Sequence, residues 1–311
     1  MLISIVIPCY RSQNTIANVV AEIKEEFKNH PEYDYQIVLV NDGSPDGTLG
    51  VIRDICAEDD KITGVDLSRN YGQASAKLAG LNYVKGDVVV YMDDDGQHDP
   101  KGIFMLTEKI LSGYDVVYAH FGNKKHSAFK KLTSSLQRKL AVWAGNSPKG
   151  IYGSSFLAYS KFAADSLKNY NSPFVSIGGY LMKITSKFAN VEMEHRKRFS
   201  GSSTYNFKKL FNLWMNTITN FSIAPIRMAS YLGIFCAFAG MITLLVIVLR
   251  KIFVPNIAVG YTSTIALLLF IGGLIMLILG FLGEYIGRIY MTVSGAPQYQ
   301  IREVMNDEEN K

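Results

Sequence analysis

Through the first part of the chain, short apolar runs alternate with amphipathic stretches. Leu2–Ile7 is rich in β-branched residues and predicts a strand. Behind it, Ile16, Val19, Val20, Ile23 and Phe27 fall on one face of a predicted helix that Asn14 can cap. Tyr35–Val40, Ile62–Leu67, Asp87–Met92 and Asp115–His120 predict further strands. Gly47–Ala57, Gln73–Val84 and Pro100–Leu111 predict helices, the last with proline in its first turn. Strands alternating with helices imply an α/β fold with a largely parallel sheet covered on both faces. In such sheets ligands bind beyond the carboxyl ends of the strands. Pro8-Cys9-Tyr10, Asp42-Gly43-Ser44 and Asp93–Asp95 all stand at that edge.

The pattern changes towards the C-terminus. Phe207, Leu210, Phe211, Trp214, Ile218 and Phe221 recur at helical spacing. They predict an amphipathic helix in a membrane interface, with Trp214 near the headgroups; a core helix of the soluble domain is the alternative. Ala229–Leu249 and Tyr261–Gly283 contain no charged residue. Each is long enough to cross a bilayer, which takes about 20 apolar residues. The predicted domains are residues 1–205, soluble; 206–227, interfacial; 228–288, a hairpin of two transmembrane helices near 229–250 and 261–284; and 289–311, a tail. Lys208, Lys209, Arg227, Arg288 and Arg302 lie in the flanks, against Arg250 and Lys251 in the loop, which places the flanks in the cytosol. Met1 begins an ordinary strand with no basic region before it, so no cleaved leader is expected. The expectation is a multi-pass protein of the inner (plasma) membrane with a cytosolic α/β domain.

Net charge changes this picture little. A value of +5 suits a protein resting on an anionic membrane face. No stretch interleaves basic and aromatic residues as a nucleic-acid surface does, so nucleic acid is not an expected partner. Cys9, Cys56 and Cys236 are scattered and form neither a metal spacing nor a disulfide framework, which fits a reducing cytosol.

The chemistry concentrates in residues 91–100, Tyr-Met-Asp-Asp-Asp-Gly-Gln-His-Asp-Pro, directly after Val88-Val89-Val90. Carboxylates gathered at the end of a buried strand repel one another and are costly to desolvate unless a cation sits among them. A divalent metal facing a phosphate is the usual reason for such a site. A polar turn closing a strand is the plainer alternative. No Gly-x-Gly-x-x-Gly follows the first strand and no Gly-Lys-Ser/Thr phosphate loop is present, which speaks against a dinucleotide or kinase-type site.

Ile-Val-Ile-Pro-Cys-Tyr (5–10), Val-Asn-Asp-Gly-Ser-Pro-Asp-Gly-Thr (40–48), Ser-Arg-Asn-Tyr-Gly-Gln (68–73), Gly-Asp-Val-Val-Val-Tyr-Met-Asp-Asp-Asp-Gly-Gln (86–97) and Arg-Lys-Arg-Phe-Ser-Gly-Ser-Ser-Thr-Tyr (196–205) follow in order. Together with the apolar hairpin, the chain resembles the family-two inverting glycosyltransferases. The resemblance is to their polyprenyl-phosphate branch, which includes dolichol-phosphate mannose synthase and bacterial undecaprenyl-phosphate glucosyltransferases. It implies the GT-A fold, a nucleotide-diphospho-sugar-binding α/β sandwich around a mostly parallel sheet. It implies that Pro8 and Tyr10 line the base and ribose pocket, that Asp42 accepts hydrogen bonds from nucleobase or ribose, and that Arg69 approaches the nucleotide. Asp93 and Asp95 match the family's Asp-x-Asp acids, which hold Mg²⁺ or Mn²⁺ against the donor diphosphate. Gln97 matches a position close to metal and acceptor, so the catalytic set is Asp93, Asp95 and Gln97. Asp94, between the two acids, is expected to point away, because neighbours on a strand alternate. Arg196, Arg198, Ser203 and Tyr205 are the implied acceptor-phosphate residues, in keeping with the chemistry of arginines and hydroxyls.

The chain departs from the resemblance in two places. Relatives have an Asp-x-Gly-x-Phe-Arg-like stretch after the fifth strand; the gapless match here is Ile151-Tyr152-Gly153-Ser154-Ser155-Phe156, without the acid and without the arginine. Gly295-Ala296-Pro297-Gln298-Tyr299 replaces an Arg-Pro-x-Tyr motif after the last span, so a tail contact to the soluble domain is expected to differ. The combined reading is a metal-dependent, inverting hexosyltransferase. It would move a hexose from a nucleotide sugar, foremost a UDP-sugar, to polyprenyl (undecaprenyl) phosphate at the cytosolic membrane face. The product would be a polyprenyl-phospho-sugar for glycan or envelope synthesis. Nucleotide sugar, polyprenyl phosphate and the lipid bilayer are the implied partners, and a homo-oligomer is compatible with them. A processive polysaccharide synthase would need a Gln-x-x-Arg-Trp motif and usually more spans, and neither is present. A non-catalytic membrane scaffold that kept the fold is suggested by Ile151 and opposed by Asp93 and Asp95.

Overall fold

The computed structural model describes residues 1–121, 150–173, 175–193, 260–295 and 297–306, with Tyr231, Gly233, Phe235, Phe238, Ile242 and Leu249. The chain divides into two units: Met1–Phe207 with Ala296–Lys311, and Lys208–Gly295.

In the first unit, strands β1 (Leu2–Cys9), β2 (Asp34–Asn41), β3 (Ile62–Leu67) and β4 (Val88–Tyr91) are parallel, with β1 between β2 and β4. Every residue of β1 from Ile3 to Cys9 is buried. A strand covered on both faces has to be apolar continuously rather than alternately, and that is the run seen in the sequence. Helices α1 (Ile16–Lys28), α2 (Thr48–Glu58) and α3 (Gln73–Leu81) return the chain between these strands. Helix α1 buries the predicted stripe of Ile16, Val19, Val20, Ile23 and Phe27. Asn14 does not cap it: Thr15 takes that position without a side-chain bond, and the Ser12 carbonyl accepts from the Thr15 and Ile16 amides, each at 3.0 Å. Helix α3 lies close against the sheet. A Cβ at Gly80 would stand 2.6 Å from Val6 Cγ1 and 2.8 Å from Val40 Cγ2, so only glycine allows this approach.

Beyond β4 the sheet becomes mixed. Helix α4 (Lys101–Leu111) precedes β5 (Val116–Phe121), and β6 (Leu157–Ser160) runs antiparallel between β4 and β5. Helices α5 (Lys161–Lys168) and α6 (Ile177–Ile184) lead to β7 (Phe188–Met193), which pairs parallel with β5. Pro100 sits in the cap position of α4 rather than in its first turn. The last strand, β8 (Ile301–Met305), pairs antiparallel with β3 and completes the order β7-β5-β6-β4-β1-β2-β3-β8. The segment read as a tail is thus tied into the α/β unit. Asn82 donates to the Tyr299 hydroxyl at 2.5 Å, Gln298 donates to the Tyr170 carbonyl at 2.6 Å, and Arg53 pairs with Glu303 at 2.6 Å. Asn306 closes the strand by donating to the Cys56, Asp59 and Ile62 carbonyls.

The second unit contains α7 (Tyr261–Val293), 33 residues long. At about 1.5 Å per residue such a helix exceeds the ~30 Å hydrocarbon core. It continues past the predicted end of the span, through the Glu284–Arg288 ion pair at 2.6 Å. Among the described residues, one helix is long and apolar enough to cross a membrane, over Ile271–Val293. Of the first predicted span, only the six separate positions between Tyr231 and Leu249 are described, and they are helical. The predicted interfacial helix from Asn206 lies outside the described residues.

Candidate functional site

The strand register brings three sequence-distant segments together at the carboxyl edge of the sheet. Cys9 pairs with Asn41, and the Asp42 amide continues that ladder by donating to the Cys9 carbonyl at 3.0 Å. On the other side of β1, Tyr91 pairs with Val6 and the Met92 amide donates to the Val6 carbonyl at 3.2 Å. Residues 93–95 therefore come alongside Pro8–Tyr10. A cleft of about 280 Å³ opens there, lined by Pro8, Cys9, Tyr10, Asp42, Asn70, Gly72, Gln73 and Asp94.

One wall is held by short polar bonds between loops. The Arg11 amide donates to Ser44 Oγ at 2.7 Å, and the Ser12 amide donates to Thr48 Oγ1 at 2.9 Å. The Ser44 and Thr48 hydroxyls donate to Asp46 at 2.5 and 2.6 Å. Gly43 adopts φ +57°, and a Cβ there would meet the Arg69 carbonyl carbon at 2.3 Å. The turn after β2 thus rests directly on the backbone of the loop after β3. Asp42 fastens the same contact: its carboxylate accepts from the Tyr71 amide at 2.7 Å and the Gly72 amide at 2.9 Å. Burial raises the Asp42 pKa, and those two amides act in the opposite direction. Asp42 is buried and reaches the cleft, but its carboxylate is engaged with protein amides. Tyr10 stands at the cleft mouth, 43% exposed. Arg69 is exposed and stacks on Tyr71, with its guanidinium carbon 4.7 Å from the ring centroid.

The acidic turn behaves differently from the strand-based expectation. Strand β4 ends at Tyr91, so the alternation of a strand does not extend to residue 94. Asp94 does not point away. Its Oδ2 accepts from the Tyr10 amide at 3.1 Å and from the Ser12 hydroxyl, and it lines the cleft. Burial raises its pKa, and the Ser12 and Tyr10 bonds oppose that shift. Asp93 accepts from Gln73 Nε2 at 2.7 Å and from the Ser155 hydroxyl at 2.5 Å. Its amide donates to His98 Nδ1 at 3.1 Å, which leaves the ring proton on Nε2 when the imidazole is neutral. His98 is buried and stacks on Phe156, with ring centroids 4.7 Å apart. Asp95 accepts from the Gln97 amide at 3.1 Å, a local bond that shapes the turn. Among the described residues, no three His, Cys, Asp or Glu side chains are grouped to hold a metal ion.

The structure thus gathers Pro8, Tyr10 and Asp42 around one cleft, with Asp93, Asp95 and Gln97 on the turn beside it. Arg69 stands outside the lining. Arg196, Arg198, Ser203 and Tyr205 lie outside the described residues. Sequence reasoning missed Gln73, Ser155 and His98 around Asp93. Gln73 was the most accessible of these, since it is the last residue of the Ser-Arg-Asn-Tyr-Gly-Gln motif and opens α3, although no role was assigned to it.

The profile of Glycosyl transferase family 2 matches residues 4–183, and that of the GtrB C-terminal hairpin matches residues 224–289. A Bacillus subtilis protein named Uncharacterized glycosyltransferase YkcC is 32% identical, over 96% of this chain and 93% of its own. The undecaprenyl-phosphate 4-deoxy-4-formamido-L-arabinose transferase of Proteus mirabilis is 33% identical, over 97% of this chain and 94% of its own. Among solved structures, glucosyl-3-phosphoglycerate synthase from Mycobacterium tuberculosis, in complex with UDP, has a TM-score of 0.50 at 19% identity. It covers 71% of this chain and 78% of its own, a likeness of fold. With its α/β unit matched from first strand to sixth helix, the chain belongs to glycosyl transferase family 2.

Proposed function

We propose that this glycosyltransferase moves a hexose from a nucleotide sugar, a UDP-sugar, to the phosphate of a polyprenol at the cytosolic membrane face. The observation that carries the reading is the carboxylate turn 93–97 set against the Tyr10–Asp42 cleft. The acceptor class is supported by the relatives whose names specify undecaprenyl phosphate. In this reading the exposed Tyr10 ring and Pro8 bound the base and ribose, since an aromatic face suits a planar base. Asp42 shapes that end by fixing the Tyr71 and Gly72 amides. Arg69 contributes positive charge from outside the cleft.

Asp93 and Asp95 offer hard oxygen donors, which suit Mg²⁺ or Mn²⁺. The two carboxylates stand two residues apart on one turn, and such ions are commonly completed by substrate phosphates and water. When bound, such an ion offsets charge on the leaving diphosphate. An oxygen of the acceptor phosphate attacks the anomeric carbon from the face opposite the diphosphate. The bond from that carbon to the diphosphate oxygen breaks, the nucleoside diphosphate leaves with the electron pair, and the configuration inverts. A phosphate monoester loses its second proton near pH ~6, so the attacking oxygen is already anionic at neutral pH. Ile151, where relatives carry an acid, is compatible with this because no strong base is needed. Alignment and charge neutralisation carry the rate. Arg196, Arg198, Ser203 and Tyr205 are assigned to the acceptor phosphate, and Gln97 to the junction between donor and acceptor.

Connectivity supports a hairpin. The chain leaves the α/β unit after Phe207 and re-enters it at Ala296. A segment that starts and ends on one folded unit crosses a membrane an even number of times. One spanning helix over Ile271–Val293 therefore calls for a second, and Ala229–Leu249 is the apolar run available. Nucleotide sugars are cytosolic, which sets the side. With Cys9, Cys56 and Cys236 replaced, a cysteine at Asn256 is expected to react with an impermeant thiol reagent on intact cells, and one at Asn310 to stay unlabelled. The reverse labelling contradicts the placement.

Asp93→Ala or Asp95→Ala should lower transfer roughly 10²-fold or more, the scale of losing one preorganised electrostatic element. EDTA should do the same to the unmodified protein. Asp94→Ala should chiefly raise the donor KM, because it releases the Tyr10 segment. Label recovered in solvent-extracted lipid reads all three, and full activity of the Asp95→Ala protein in EDTA removes the metal role.

Arg198→Ala tests the acceptor side. A charge-assisted contact contributes about 1.5 to 3 kcal/mol, so the KM for polyprenyl phosphate should rise roughly ten- to a hundred-fold. The KM for the nucleotide sugar should hardly move. Steady-state kinetics with each substrate varied in turn decides this, and a change confined to the donor KM would move the arginine to the donor site.

A further inference from the structure

Lys77 lies on α3, one helical turn after Gln73, and is 7% exposed although it carries an ammonium group. A cation taken out of water is costly unless partners replace the water. Its Nζ donates to the Ser155 carbonyl at 3.2 Å and stands 5.3 Å from the Tyr91 ring centroid. Two of the three ammonium N–H groups thus lack an oxygen acceptor among the described residues. Burial lowers the Lys77 pKa, and the nearby Asp93 carboxylate acts in the opposite direction. Ser155 joins the two charges: its carbonyl takes Lys77, and its hydroxyl donates to Asp93 at 2.5 Å. The adjacent Phe156 occupies the place where the resemblance expects an arginine, and its ring stacks on His98. A positive charge missing from that stretch is therefore brought against it by α3.

We propose that Lys77 is a positioning residue of the donor pocket, whose buried charge holds the Ser155–Asp93 pair and makes the diphosphate end of the pocket more positive. The inference rests on reading the cleft as a nucleotide-sugar site. It has a consequence that plain structural support lacks. A fixed cation beside a carboxylate repels a divalent ion and attracts a diphosphate. Removing it shifts the two affinities in opposite directions, whereas loosening the fold weakens both.

The test uses the full chain in detergent and two probes given separately: Mn²⁺ alone, followed by electron paramagnetic resonance, and UDP in EDTA, followed by calorimetry. Lys77→Met keeps the apolar stem and drops the charge. UDP binding in EDTA should weaken about ten-fold, which is about 1.4 kcal/mol, while Mn²⁺ binds several-fold more tightly. Lys77→Arg should return both values towards wild type. Asp93→Asn leaves the lysine unopposed and should strengthen UDP binding in EDTA; this arm decides alone if Lys77→Met does not fold. Both affinities falling together in Lys77→Met, both unchanged, or weaker UDP binding by Asp93→Asn would each overturn the proposal. Wild-type protein that binds neither probe overturns the donor-site reading itself.

Discussion

Carboxylates crowded at the edge of a buried sheet repel one another and lose hydration, and much of the surrounding structure answers that constraint. Each acid of residues 93–95 has its own compensation. Asp94 is held by an amide and a hydroxyl from the loop after β1. Asp93 is held by a side chain from α3 and a hydroxyl from the segment before β6. Asp95 is held within its own turn. The acids are therefore also the knots that tie four separate parts of the chain into one site. A site assembled in this way keeps its charge fixed before any substrate arrives, which is the condition for electrostatic catalysis.

The α/β unit also closes around the ends of the long apolar segment. Strand β8 comes after the long apolar helix in sequence, yet it completes the sheet on β3 and is fastened by Arg53, Asn82 and Ser68. Both chain connections to the apolar segment thus start from one folded body, the unit Met1–Phe207 with Ala296–Lys311. The departure from the Arg-Pro-x-Tyr motif does not cost the tail its anchorage, because Tyr299 still finds Asn82 and Gln298 finds Tyr170.

Legibility followed burial. Strands β1 and β4 announce themselves because burial on both faces demands nearly continuous apolar runs, and α1 because one-sided burial demands a stripe. Strand β8 is a short edge strand, Ile301-Arg302-Glu303-Val304-Met305, with its charges half in water, and nothing local marks its partner. Pro8, Tyr10, Asp42, Asp93 and Asp95 could be placed at one edge because that edge follows from the strand ends alone. Asp94 was misread because strand alternation was carried past the end of β4. Ser155, His98 and Lys77 were not legible: a serine, a histidine and a lysine read as ordinary polar positions until tertiary packing sets them around Asp93. Family resemblance added the chemistry of the Asp-x-Asp acids, which pattern and spacing alone leave open.

The central claim is that the sugar alone, and not its phosphate, passes to a lipid phosphate. The purified chain, given undecaprenyl phosphate and a UDP-sugar with tritium in the sugar and phosphorus-32 in the β-phosphate, tests it directly. The account predicts tritium in the solvent-extracted lipid and all phosphorus-32 in released UDP. Phosphorus-32 entering the lipid with the sugar, or tritium remaining wholly in water, would contradict it.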